Sequence, residues 1–141
     1  LVEHLHGEFK AQLVSREIEW IAEIEPGLNI KTDRYSLFQV LKQLVSNSIS
    51  YHDPAKPERK IWIRIGRMSD QGTMIHITDN GKGISDDQQE RIFDLFHKAT
   101  ESSIGLGMGL FLTQSLIQKM GGRIACRSEA GKGTHMEVVL P

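Results

Sequence analysis

Cysteine is almost absent from this chain: Cys126 stands alone among 141 residues. One thiol cannot build a disulfide framework within a chain, so a reducing, cytoplasmic setting is the expectation. Nor do one cysteine and the dispersed histidines make a four-ligand zinc site. His4 and His6 lie near the start, His52 and His97 are scattered, and His76 and His135 fall in predicted strands, where they read as structural. Long apolar runs are missing as well. Nothing approaches the roughly 20 residues that span a bilayer, so no direct membrane contact is expected, and no signal peptide is visible. No long basic run appears, and 17 Lys and Arg against 18 Asp and Glu leave a net charge of −1. Nucleic acid is excluded as a partner on this balance, because binding it needs clustered phosphate contacts. Internal repeats and low-complexity segments are also absent. What is present is 39% hydrophobic and 25% charged, ordinary for a globular protein and long enough for one domain with a sizeable core. The chain opens in mid-pattern with "LVEHLHGEFK" and is read as a single domain, residues 1–141, cut from a longer polypeptide.

Hydrophobic periodicity gives the elements. Residues 1–13 read as a helix. Ile18, Trp20, Ala22 and Ile24 alternate with glutamates, the mark of a strand with one buried face. From Asp33 to Tyr51 the period becomes helical, with Leu37, Val40, Leu41, Leu44, Val45 and Ser48 on one stripe. Ile61, Ile63 and Ile65 form a second strand and Thr73, Ile75 and Ile77 a third, joined as a hairpin through "SDQG". Ser85 with Gln88 three positions on is a capping-box signature, predicting a helix that carries Ile92, Phe93 and Phe96. Residues 97–104 read as a mobile loop. A further helix follows, with Leu116, Ile117 and Met120 inward and Gly121-Gly122 as its stop. Two last strands, 123–128 and 134–140, flank "EAGKG". This order departs from regular βαβ alternation and predicts an α+β two-layer sandwich: a mixed sheet of about five strands with helices packed on one face.

Three motifs carry chemistry. "GLGMGL" (residues 105–110) is neither a dinucleotide fingerprint, which needs G-x-G-x-x-G directly after a strand, nor a Walker A loop, which ends in Gly-Lys-Ser/Thr. It remains a glycine-rich loop feeding a helix N-terminus, which favours an anion such as phosphate; a flexible hinge with tight packing explains it equally well. "DNGKGI" puts Asp79 at a strand end, where its carboxylate can accept from an exocyclic amine, with Gly81 and Gly83 leaving room for a flat ring. A plain turn is the alternative. Gln43, Asn47 and Tyr51 stack along one helix edge with Ser50 beside them. The Asn47 carbonyl oxygen suits Mg²⁺, which keeps several waters and needs only one or two protein ligands. In isolation, such an amide is a solvent-facing side chain.

Order and spacing give these motifs more weight. "LFQVLKQLVSNSISY", "DNGKGI", "RIFDLF", "GLGMGL" and "GGRI…SEAGKGT…LP" together resemble the ATP-binding catalytic domain of sensor histidine kinases, within the wider family of gyrase, chaperone, histidine kinase and mismatch-repair ATPases. The resemblance runs from about residue 18 to the end and implies a Bergerat-type ATP-binding fold with ATP and Mg²⁺ as cofactors. "YHDPAKPE" and "HKATESSIGLGMGL" are similar to hybrid or PAS-linked sensor kinases. By resemblance, Asn47 holds Mg²⁺ and Asp79 binds the adenine amine, with a water shared with Thr134. Gly81, Gly83 and Ile84 line the adenine pocket, and Tyr51 lies beside the nucleotide. Phe93 and Phe96 match the box packed beneath the nucleotide lid. Gly105, Leu106, Gly107, Met108, Gly109 and Leu110 form the lid's far end, and Lys98 is its cation for the terminal phosphate.

Two positions depart from the family pattern. Gln43 replaces the usual Asn, and Ser50 stands where Lys is frequent, which removes one phosphate contact. The hydrolytic relatives carry a Glu at position 43 as general base; Gln43 cannot take a proton at neutral pH, which argues for transfer over hydrolysis. The reading implied is a kinase domain that donates the γ-phosphate of ATP–Mg²⁺ to a histidine on separate dimerisation and acceptor helices, with Gln43 and Asn47 as the catalytic pair. A response regulator receiver domain is the onward partner. No histidine here has the acceptor surroundings, so those helices are expected N-terminal to Leu1. The alternatives are a degenerate nucleotide-binding module and a non-histidine-kinase ATPase of the same family.

Overall fold

A computed structural model describes residues 1–98 and 107–141. Most of the loop expected over 97–104, and the site positions Gly105 and Leu106, lie outside the described residues. The elements run α1 (Val2–Ser15), β1 (Ile18–Ile24), α2 (Arg34–Ser50), β2 (Arg59–Arg67), β3 (Thr73–Asp79), α3 (Asp86–Gln89), α4 (Gly109–Lys119), β4 (Arg123–Glu129) and β5 (Gly133–Leu140). The strands form one sheet in the order β1-β2-β3-β5-β4. β1 pairs with β2 in parallel, with α2 as the crossover, and every other pairing is antiparallel. This is the expected two-layer α+β sandwich.

Period 2 in the strands divides the sheet's faces. Ile61, Ile63 and Ile65 of β2 and Ile75 and Ile77 of β3 point to the helices and are buried, while Trp62, Arg64, His76 and Thr78 take the opposite face. Helix α2 lies on the core with its whole predicted stripe buried; Val40, Leu41 and Val45 are fully enclosed. Burial of each such aliphatic side chain is worth about 1.5–3 kcal/mol. Asp33 caps α2, its side chain accepting from the Ser36 N–H at 2.6 Å. The Ser36 bonds hold the Asp33 carboxyl below its ordinary range. At the other end of the core, α4 stops as the two glycines predict. Gly121 takes φ +78, its N–H donates to the Gln118 carbonyl, and the Gly122 N–H donates to that of Ile117. That pair of bonds is a Schellman motif.

One predicted helix is corrected. α3 spans only Asp86–Gln89, and residues 90–96 continue as turns. Ser85 sits at its N-cap but makes no side-chain cap bond. Its hydroxyl serves the Asp87 carboxylate instead. The spacing of Ile92, Phe93 and Phe96 imitates one helical face. Phe96, however, adopts φ +62, which no helix interior permits. Ile92 is buried and Phe93 packs on the core, but Phe96 is 65% exposed. β1 is also less buried than its alternation suggests: Ile18 is enclosed, while Ile24 is 47% exposed at the sheet's parallel edge.

Candidate functional site

The site is built on the last two turns of α2. Gln43 and Asn47 stand one turn apart, and the Gln43 Nε2 donates to the Asn47 Oδ1 at 3.0 Å. A glutamate at position 43 would present only acceptors at neutral pH and could not make this bond. The Gln43 amide also touches the start of α4. A Cβ on Gly109 would lie 2.6 Å from the Gln43 Nε2, so a side chain there would displace the Gln43 amide. The buried Thr113 hydroxyl donates back to the Gly109 carbonyl at 2.8 Å and fixes that first turn. Met108, the N-cap residue of α4, has no side chain that accepts from the turn, so its amides keep their capacity for an anion. Gly107 takes φ +72 and packs on the backbone of Phe96 and His97. Met108 and Leu110 are half-buried, and Lys98 is exposed.

The next residue of α2, Ser48, faces the other half of the site. Asp79 ends β3 and is only 9% exposed. Its Oδ1 accepts from the Gly81 N–H at 2.9 Å. The Ser48 hydroxyl, the Thr134 N–H and the charge of Lys56 also favour its ionised form. Burial outweighs them and raises the Asp79 pKa above the ordinary carboxylate range. Thr134 lies opposite Asp79 in the β3–β5 register. Its hydroxyl is 2.9 Å from the Ser128 Oγ, and Ser128 in turn bonds the Gly133 carbonyl and the Ile84 N–H.

Gly81 and Gly83 also allow close backbone approaches. A Cβ on Gly81 would strike the Tyr51 carbonyl, and one on Gly83 would strike that of Glu129. The close approach closes the Asp79–Ile84 loop onto α2, with the Lys82 N–H donating to the Tyr51 carbonyl at 3.0 Å. Tyr51 is thus the C-cap of α2 and a support for the loop, its side chain 37% exposed. Sequence reading missed two further supports. The Lys56 Nζ donates to the carbonyls of Asn80 and Gly81 at 2.6 and 3.1 Å. The Gln89 carboxamide brackets Ser128, donating to its carbonyl at 2.7 Å and accepting from its N–H at 2.8 Å. The glutamine sits 39 positions from its partner, so no local pattern marks the pair.

Residues 32–141 match the family model described as histidine kinase-, DNA gyrase B-, and HSP90-like ATPase. The chain belongs to this ATPase family. Within it, the chain is 34% identical over its whole length to the methanogenesis regulatory histidine kinase FilI of Methanothrix harundinacea, of which it covers 16%. It is 33% identical over 94% of its length to the alginate biosynthesis sensor protein KinB of Pseudomonas aeruginosa, of which it covers 21%. The chain therefore spans a fraction of these relatives. Two solved structures share the fold: the catalytic domain of histidine kinase ThkA, with a TM-score of 0.85 at 23% identity, 99% of this chain and 89% of that one; and full-length ShkA in complex with AMPPNP, with a TM-score of 0.86 at 21% identity, 99% of this chain and 28% of that one. As an ATPase-family domain with a Bergerat-type fold, the chain is an ATP-binding catalytic domain. The donor set fits a magnesium nucleotide. It offers a buried carboxylate at the end of β3, a carboxamide oxygen on α2, and the first-turn amides of α4.

Proposed function

We propose that this domain binds ATP–Mg²⁺ and donates the γ-phosphate to a histidine on the same protein's dimerisation and acceptor helices, for onward passage to a response regulator receiver domain. One observation carries the reading: adjacent residues of α2 serve the two halves of the site, Ser48 toward Asp79 and Asn47 toward Gln43, whose amide lies against Gly109. Asp79 would hold the exocyclic amine of the base. Asn47 would give its carbonyl oxygen to the metal, and the amides at the start of α4 would face the phosphates. Bound ATP–Mg²⁺ supplies the electrophilic phosphorus and neutralises charge on the phosphate oxygens. The protein's contribution is position and charge. Gln43 supplies no base for water, which favours transfer to an imidazole over hydrolysis. The proposed setting is the cytoplasm; among the described residues no helix is long and apolar enough to cross a membrane.

The test is γ-labelled ATP with Mg²⁺, incubated with the domain alone and with a polypeptide carrying the acceptor helices. Label on a histidine only when the helices are present, with little free phosphate released, is the expected result. Phosphate release without histidine labelling would favour a hydrolytic ATPase, and ATP binding with neither would favour a nucleotide-holding module.

A further inference from the structure

The face of the sheet turned away from the helices carries a cluster that the nucleotide site does not use. Strand period puts His76 and Thr78 of β3 there, with His135 and Glu137 of β5. The antiparallel register sets His76 opposite Glu137 and Thr78 opposite His135. The His76 Nδ1 lies 3.2 Å from the His135 Nε2, and the His135 Nδ1 lies 2.7 Å from the Thr78 Oγ1. One ligand atom from each of His76, His135 and Glu137 falls within 4.8 Å of the others.

We propose that His76, His135 and Glu137 form a binding site for a divalent transition-metal ion such as Zn²⁺. Two imidazole nitrogens bound to zinc at about 2.0–2.1 Å span a tetrahedral edge of about 3.3 Å, close to the separation seen here. Thr78 supplies the outer support that metal-bound imidazoles need. With the His135 Nδ1–H donating to Thr78, the lone pair of Nε2 is turned toward His76. Two imidazoles and a carboxylate suit zinc, copper or nickel better than Mg²⁺, so the site does not compete for the nucleotide's metal. The charges around it are mixed. Arg64 is tied to Glu23 by an ion pair at 2.8 Å, while Arg127 faces His135 from β4 and works against cation binding. Three protein ligands leave a fourth position, beside a cavity of about 300 Å³ lined in part by Trp62, Arg64, His76 and His135. Water or an external donor would complete the shell there, as in zinc sites that keep an open position.

Titration of the protein with Co²⁺ followed by visible absorption, and with Zn²⁺ by calorimetry, tests the site without reference to ATP. The expected result is one equivalent bound, with the visible bands of four-coordinate cobalt. His76→Ala and His135→Ala should each abolish those bands, Glu137→Gln should weaken binding, and Thr78→Val should weaken it about 10- to 100-fold. His4→Ala, which removes a helical His–Glu pair on α1, should leave it unchanged. Circular dichroism establishes that each variant folds; if either alanine variant does not, the Thr78 and Glu137 variants decide. No uptake of either metal would overturn the proposal, as would binding that survives the decisive substitutions.

Discussion

Asp79 carries its charge where water has been removed. Its folded pKa is raised above the ordinary 3.8, chiefly by burial. A raised carboxylate pKa contributes stability below the unfolded value, and that contribution is lost as pH rises through the folded value. At neutral pH the ionised form is therefore a cost to folding. Asp79→Asn should melt at or above the wild-type temperature at pH 7, and that advantage should shrink as the pH falls toward 4. The same substitution should weaken ATP binding by about 10- to 150-fold, the worth of a hydrogen bond to a charged group. Melting curves at two pH values and calorimetry on the same samples separate the two effects. Cys126 gives a second prediction. Burial and the nearby Asp79 push its thiol up to about 11 from 9.0. Alkylation by iodoacetamide at pH 8 should run on the order of 100-fold slower than for a free cysteine. Denaturant should restore the ordinary rate.

Among the elements, α2 was the most legible from sequence and α3 the least. The α2 stripe repeats over four turns with Asp33 as a cap, so period and capping agree. At α3 only one turn follows the cap signal, and the aromatic spacing beyond it belongs to a series of turns. Its anchorage comes from Gln89 reaching β4, a long-range contact that local pattern cannot express. The His76–His135 pair was hidden for the same reason, being 59 positions apart. Asp79 and Asn47 could be picked out because chemistry and order in the chain pointed to them, whereas Ser48 was read only as part of the apolar stripe. The glycines at the two ends of α4 differ in what they tolerate. At Gly109 a methyl group meets only the flexible end of Gln43. Gly109→Ala should change stability by no more than about 1 kcal/mol. By displacing Gln43 from Asn47 it should still slow phosphoryl transfer roughly 10- to 100-fold. At Gly122 the same change drives a methyl into the Val139 carbonyl and the Leu140 side chain. It should cost about 1–3 kcal/mol, readable as a lower urea midpoint.

Over the whole molecule, one sheet offers two faces with separate chemistry. The helix-covered face brings α2, the Asp79–Ile84 loop and the start of α4 to a common edge, where the family's nucleotide chemistry fits. The other face presents imidazoles and a carboxylate. In the proposed function, Asn47 holds the metal of a phosphoryl donor. The most direct measurement is transfer of label from γ-labelled ATP–Mg²⁺ to the acceptor helices by the wild type and by Asn47→Ala, both verified as folded. Histidine labelling by the wild type and a ~100-fold or greater loss in the variant are expected, the scale set by losing position and charge stabilisation together. Undiminished labelling by Asn47→Ala would show that Asn47 does not hold the metal.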